Sequence, residues 1–224
     1  MNILLIIMLP FFLLSLLSTV YRHMRHSPQR IGKQGEKEIK KILGNMPEKG
    51  VVLSNLYFFN SSYSTEVDMV YIDKSGIYVV ESKNYQGAVY GSWANDYWTQ
   101  VVRGKKYSFY SPIKQNKAHL RAVKKVVREG IDKFIPIYSL IAFSDKTNLN
   151  VTPRKQGTTI VCKYEDIRHA LQLNNNKEML TALSDKDIDT ICELLKPYTR
   201  ASFFQKRKHK RYVAARAKTS NSSL

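Results

Sequence analysis

The chain has 224 residues, with 36 Lys+Arg against 18 Asp+Glu and a formal charge of +18. That length suits one domain with appendages, and the charge favours polyanionic partners, either nucleic acid or an anionic membrane face. Two cysteines, Cys162 and Cys192, stand far apart without a CxxC or Cys/His cluster, which argues against structural zinc and fits free thiols in a reducing compartment.

The first element is NILLIIMLPFFLLSLLSTV, residues 2–20, which has no charged side chain. It approaches the ~20 apolar residues that cross a bilayer. No basic residue precedes it, unlike a secretory signal, and Arg22, Arg25 and Arg30 come just after it. The positive-inside rule then puts the C-terminal side in the cytoplasm. The expectation is an N-terminal transmembrane helix over 1–21, a basic juxtamembrane linker over 22–30, and a cell-membrane protein whose main domain is cytoplasmic.

IGKQGEKEIKKILGN (31–45) predicts a helix, with Ile31, Gly35, Ile39, Ile42 and Leu43 on one face. VVLSNLYF (51–58), EVDMVYI (66–72) and IYVVESK (77–83) predict strands, the last two joined by the turn 73–76 ending in Gly76. Residues 88–110 hold aromatic residues and turn signals that suit further strands, with Trp93 and Trp98 packing in the sheet or its rim. Ser111 and Pro112 read as N-cap and first residue of a helix whose Leu120, Val123, Val126 and Val127 face a core. IPIYSLIAFS (135–144) predicts a strand buried on both faces, and TTIVCK (158–163) a shorter one followed by a helix through Ile167 and Leu171. SDKDIDTICELLKPY (184–198) opens with a capping box, Ser184 with Asp187, and its helix ends before Pro197. This order implies an α/β fold with a central mixed β-sheet flanked by helices. The core spans 31–145, residues 146–199 extend the same domain, and 200–224 read as a basic, disordered tail.

The charged residues of the hairpin set the chemistry. Alternation with a period of two places Asp68 with Val70 and Ile72, and Glu81 and Lys83 with Ile77 and Val79. A turn at 73–76 then sets Asp68 opposite Glu81, and Glu66 opposite Lys83. Opposed carboxylates repel unless something compensates. A divalent ion would do so: the Asp68 and Glu81 oxygens with the Ser82 carbonyl make an oxygen-rich site for Mg²⁺ or Mn²⁺. Lys83 would then orient water or stabilise charge on a phosphate, which suits phosphodiester hydrolysis. Glu36 borders the buried stripe of the first helix, and Gln115 lies on the first turn of the helix that starts at Pro112. A purely structural role, with the acids neutralised by Lys83 at a strand end, is the bland alternative.

GKQGEKEI, TEVDMVYIDKSGIYVVESKNYQG and SPIKQNKAHL, in this order, resemble the nuclease-related domain family, NERD, over about residues 30 to 145. That family is similar to the PD-(D/E)XK nucleases, so the resemblance implies a restriction-endonuclease-like fold. It also implies that Asp68 and Glu81 bind metal, Lys83 serves water or phosphate, Glu36 completes the acidic pocket, and Gln115 is an accessory polar residue. Two positions depart from the family: Glu66 stands where it usually has Gln, and Ser111 where it usually has Asn. Glu66 is therefore expected to pair with Lys83.

Lys117, Arg121, Lys124, Lys125 and Arg128 share the polar side of one predicted helix, where phosphate contacts would give salt-sensitive affinity. The tail residues Arg200, Lys206, Arg207, Lys208, Lys210, Arg211, Arg216 and Lys218 would track nucleic acid or lie on the inner leaflet. The residues support three readings. The first is a membrane-anchored, metal-dependent nuclease acting on nucleic acid, with DNA the favoured substrate. The second is a non-catalytic nucleic-acid-binding or scaffold module of the same fold, and the third a lipid-surface structural protein.

Overall fold

The computed structural model describes residues 27–47, 49–59, 64–175, 182–202, 204–209 and 211–213. The apolar run at 2–20 and the end of the tail lie outside these residues. Among the described residues no helix is long and apolar enough to cross a membrane.

Helix α1 runs Pro28–Gly44, so the last residues assigned to the linker form its first turn. Ser27 caps it, its Oγ accepting the Arg30 N–H at 3.4 Å, and Pro28 sits where a missing N–H costs nothing. Three strands come next: β1 Val51–Phe59, β2 Ser64–Asp73 and β3 Gly76–Lys83. A compact trio succeeds them, β4 Gly87–Gly91, β5 Tyr97–Val102 and β6 Lys105–Tyr110. Helix α2 is Pro112–Gly130; Ser111 is its N-cap by position, but its side chain makes no capping hydrogen bond. Strand β7, Ile137–Phe143, is buried throughout, as expected for a strand covered on both faces. β8 Thr147–Val151 and β9 Lys155–Gln156 have no counterpart among the expected elements. β10 Thr159–Lys163, α3 Ile167–Asn175 and α4 Asp185–Leu195 complete the domain, with a 3₁₀ turn at Lys196–Thr199. The Ser184–Asp187 capping box forms in both directions.

The strands build two sheets where the sequence predicts one. The larger has six strands in the order β1-β2-β3-β7-β10-β9, and the smaller has four, β6-β5-β4-β8. In the larger, β1, β2 and β3 are antiparallel neighbours, while β3–β7 and β7–β10 are parallel. In the smaller, β4 pairs antiparallel with β5 and parallel with β8. Both sheets are therefore mixed, and helices cover the larger one on both faces. One face buries Met69, Tyr71, Tyr78 and Val80 against Ile39 and Leu43 of α1 and Ile167 and Leu171 of α3. The other buries Val70, Ile72, Ile77 and Val79 against Val123 and Val127 of α2 and Ile188 and Ile191 of α4. Each fully buried aliphatic side chain contributes about 1.5–3 kcal/mol, so these two layers carry most of the stability. The small sheet packs on the ends of β7 and β10, its Val89, Trp98, Leu149 and Val151 meeting Ile141, Phe143 and Val161. Trp98 is indeed a core residue, 1% exposed.

The segment read as a disordered tail is in part ordered. Residues 204–209 and 211–213 are helical, and His209 is buried. Its Nδ1 lies 2.8 Å from Ser64 Oγ, and its ring meets Tyr57 edge to face at 5.9 Å.

Candidate active site

The turn at 73–76 sets the β2–β3 register as the alternation predicts, with Ile72 opposite Ile77 and Val70 opposite Val79. Glu81 lies on the face covered by α2, beside His119, but β2 does not alternate strictly here: Val67 and Val70 share that face with Met69 on the other, so the alternation breaks at Asp68. The regular ladder ends at Met69 and Val80, because Asp68 Oδ2 takes the Ser82 N–H at 2.9 Å. An acidic side chain thus replaces a backbone carbonyl as acceptor at the point where the strands part.

Glu81 is 2% exposed and occupies the middle of a charged cluster. Lys83 Nζ donates to its Oε1 at 2.5 Å and to Gln115 Oε1 at 3.0 Å. On the other side, His119 Nε2 stands 3.1 Å from Glu81 Oε2. That approach is close enough for an ion pair with a protonated ring. His119 Nδ1 is 2.7 Å from Thr65 Oγ1, which fixes the ring between β2 and α2. Asn116, one turn away, anchors the helix by donating to the Val79 carbonyl at 2.9 Å and to Ser139 Oγ at 2.8 Å.

The electrostatics divide the two acids. Burial pushes Glu81 up, yet Lys83 and then His119 outweigh it and hold its pKa at about 2. Burial likewise opposes the charge of Lys83, but Glu81 reverses that and raises its pKa, so Lys83 is a cation at neutral pH. Asp68 has no such compensation. Burial first, and then the Glu81 charge, raise its pKa well above the ordinary carboxylate value, against the Ser82 N–H and Lys83. Glu36 is raised too, by burial and by Glu66 and Glu81, which places it within reach of the same field.

Glu36 is brought there by Gly35. A Cβ at Gly35 would run into the Tyr164 hydroxyl and lie 2.7 Å from Asn84 Cβ and 3.1 Å from Ser82 Oγ. Only a glycine lets α1 come this close to the end of β3. Gly35→Ala is expected to displace α1, lower stability by about 1–3 kcal/mol and reduce activity at least tenfold. Thermal melts and initial rates check both.

Glu66 does not pair with Lys83. It lies opposite Tyr57 on β1, accepts the Tyr57 hydroxyl, and stands 3.7 Å from His209 Nε2. The ladder turns away from Lys83 before Glu66 can reach it. Gln115 Oε1 accepts from the Lys83 ammonium, which places its side chain beside the acidic pair. Lys117, Arg121, Lys125 and Arg128 are exposed or half-exposed along α2 and Lys124 half-buried, with Lys125 3.9 Å from Glu129.

With this geometry, the family comparison has its structural counterpart: the NERD nuclease-related domain model matches residues 31–144, just over half the chain. The chain belongs to the NERD family. It is similar to an uncharacterized protein of Bacillus anthracis, 29% identical over 196 residues that cover 84% of this chain and 86% of that one. No solved structure matches the chain. The NERD match ends at Ser144, whose N–H donates to the Lys83 carbonyl at 3.0 Å, so the matched segment contains Glu36, Asp68, Glu81, Lys83, Gln115 and His119.

His119 is the residue of this NERD site that the sequence did not disclose. It sits four residues after Gln115, between Asn116 and the apolar Ala122 and Val123, where a histidine reads as a core residue. The spacing of four from Gln115 was the available signal, since both lie on one helical face. His119→Ala is expected to leave binding intact while lowering kcat about 10- to 100-fold by freeing the Glu81 carboxylate from one side. A KM-against-kcat comparison separates this from a simple loss of folding.

Proposed function

We propose that this NERD domain is a metal-dependent phosphodiesterase that cleaves nucleic acid, with DNA as its substrate. The observation that carries the reading is the pair of carboxylates gathered where β2 and β3 part, a buried Glu81 and a half-buried Asp68 whose charge is opposed by burial and by Glu81. A doubly charged ion would relieve both, and carboxylates with a backbone carbonyl suit Mg²⁺ or Mn²⁺. Asp68, Glu81 and the Ser82 carbonyl would hold it, and such an ion supplies Lewis-acid polarisation and a more acidic bound water.

The chain's own groups have distinct parts. Lys83 is held by Glu81 and Gln115, so two of its three protons are committed and the third is available to a phosphate oxygen. Being charged, it stabilises negative charge developing on the phosphoryl group rather than taking a proton. Glu36, whose pKa is raised by burial and then by Glu66 and Glu81, would add a third carboxylate to the site. The exposed cations of α2 would contact the substrate backbone without reading sequence. The apolar run at 2–20 would hold the domain at the cytoplasmic face of the membrane, with the basic C-terminal residues near the same surface.

The test is a panel of single-stranded, duplex and branched DNA and RNA incubated with the purified full chain and Mg²⁺ or Mn²⁺. Cleavage that needs the ion and vanishes in Lys83→Ala supports the proposal, whereas binding without cleavage of any substrate overturns it. A second reading, a non-catalytic nucleic-acid-binding module, is favoured by one finding. Among the described residues, no three His, Cys, Asp or Glu form a group that could hold a metal ion.

A further inference from the structure

The small sheet has two unlike faces. Along β4, β5, β6 and β8 the residues Val89, Trp98, Phe109, Leu149 and Val151 turn towards the larger sheet. The registers Tyr90↔Thr99, Thr99↔Ser108 and Tyr97↔Tyr110 put the alternate set on the other side, with Asn150 opposite Tyr90. Nothing among the described residues covers that side: Tyr90, Tyr97 and Tyr110 are 51%, 46% and 47% exposed. Tyr97 and Tyr110 meet edge to face at 5.9 Å, which fixes two rings side by side. Between them the face carries Thr99, Ser108, Asn150 and Lys106.

We propose that this tyrosine-bearing face binds single-stranded nucleic acid by stacking bases on Tyr90, Tyr97 and Tyr110. Exposed rings on a flat sheet offer π-faces that every unpaired base can use, whereas the bases of a duplex are already stacked and hidden. The charge fits the same ligand. Of the cations from Gly87 to Tyr110, Lys106 lies on this face and Arg103 in the β5–β6 turn, and the one acid, Asp96, is bound to Lys114 of the next helix. Apart from the rings, the apolar residues on this side are Ala88 and Val101 alone, so a protein partner would find little aliphatic area to bury.

The face adjoins the candidate active site along the chain. β4 begins four residues after Lys83, and Tyr110 precedes Gln115 by five. The inference deepens the nuclease reading by naming the substrate form, and rests on that reading for its catalytic consequence alone. Binding is therefore measured without cleavage, in EDTA.

The full chain in detergent is titrated with a fluorescent oligothymidylate of about 20 nucleotides and with a duplex of equal length, by anisotropy. Replacing Tyr90, Tyr97 and Tyr110 together by Ala is expected to weaken single-strand binding about 30-fold or more, and duplex binding less than about 3-fold. Replacing the same three by Phe should keep single-strand affinity within about 2-fold, because the rings remain. Single Tyr→Ser variants at these exposed positions, each expected to cost ~3- to 10-fold, repeat the test if the triple Ala variant fails to fold. Equal losses on both ligands, retained affinity in the Ala variants, or a parent that binds no single strand overturns the proposal. So does a Phe variant as weak as the Ala one. A chain that binds as expected yet never cuts DNA or RNA defeats the nuclease reading and leaves this one standing.

Discussion

Lys83→Ala is expected to reduce cleavage at least 10³-fold and to destabilise the fold by about 3–5 kcal/mol. The second effect stems from what the lysine leaves behind. Glu81 is 2% exposed, and its Oε1 is 2.5 Å from the ammonium. Without that cation a buried carboxylate keeps only the His119 approach, so its pKa must rise and the acid become neutral. Lys83→Ala with Glu81→Gln is therefore expected to recover most of the stability and none of the activity, which separates catalysis from folding. The pH dependence carries the same signature. In the parent, the Glu81 pKa of about 2 lies below its ordinary 4.5. Its stabilisation is complete above 4.5 and is lost as pH falls towards 2. Lys83→Ala should flatten or reverse that part of the melting curve. A parent and variant with the same acid profile would refute the pairing.

Asp68→Asn is expected to abolish cleavage and yet raise the melting temperature of the metal-free protein by about 2–4 °C. The Asp68 pKa is raised above its ordinary 3.8, chiefly by burial and by Glu81. An acid shifted upwards loses stability as pH climbs from that ordinary value through the folded one, so the penalty grows across that range. Asparagine removes the charge while still accepting the Ser82 N–H. Added Mn²⁺ should raise the melting temperature of the parent and leave Asp68→Asn unmoved, which scanning fluorimetry with and without EDTA measures. A variant less stable than the parent in EDTA would show that the charge is already compensated, and with it the metal proposal would fall.

The central hairpin was legible because a period of two and one turn fix a register. Once 73–76 is a turn, Val70 and Val79 must share a face with Ile72 and Ile77, and they do. The extension of that register to Glu66 and Lys83 failed because a carboxylate side chain competes with the backbone for an N–H, which alternation does not encode. The true partner of Glu66, Tyr57, lies on β1, and alternation within the β2–β3 hairpin says nothing of the β1–β2 register. The second sheet escaped because β8, TNLNV, is poor in strand formers, though its Thr147, Leu149 and Val151 do alternate with exposed Asn148 and Asn150. The C-terminal stretch reads as disordered from its charge, yet His209 meets Ser64 and Tyr57, and Lys206 lies 5.5 Å over the Tyr57 ring. Composition registers the lysines and arginines and not the contacts that dock them.

The placement of Glu81 and Lys83 on β3 has a dynamic consequence. β3 is flanked by hydrogen-bonded neighbours on both sides, β2 and β7, and its amides lie deep in the larger sheet. Amides so enclosed exchange with deuterium only when the whole cooperative unit opens, while peripheral segments open locally at far lower cost. The groups proposed for the chemistry stand at the end of that enclosed stretch, held by β7 on one side and, past Val80, by the Asp68 side chain on the other. Whatever yields to an incoming strand must be the rim: the small sheet with its tyrosines, and the basic stretch fastened by His209.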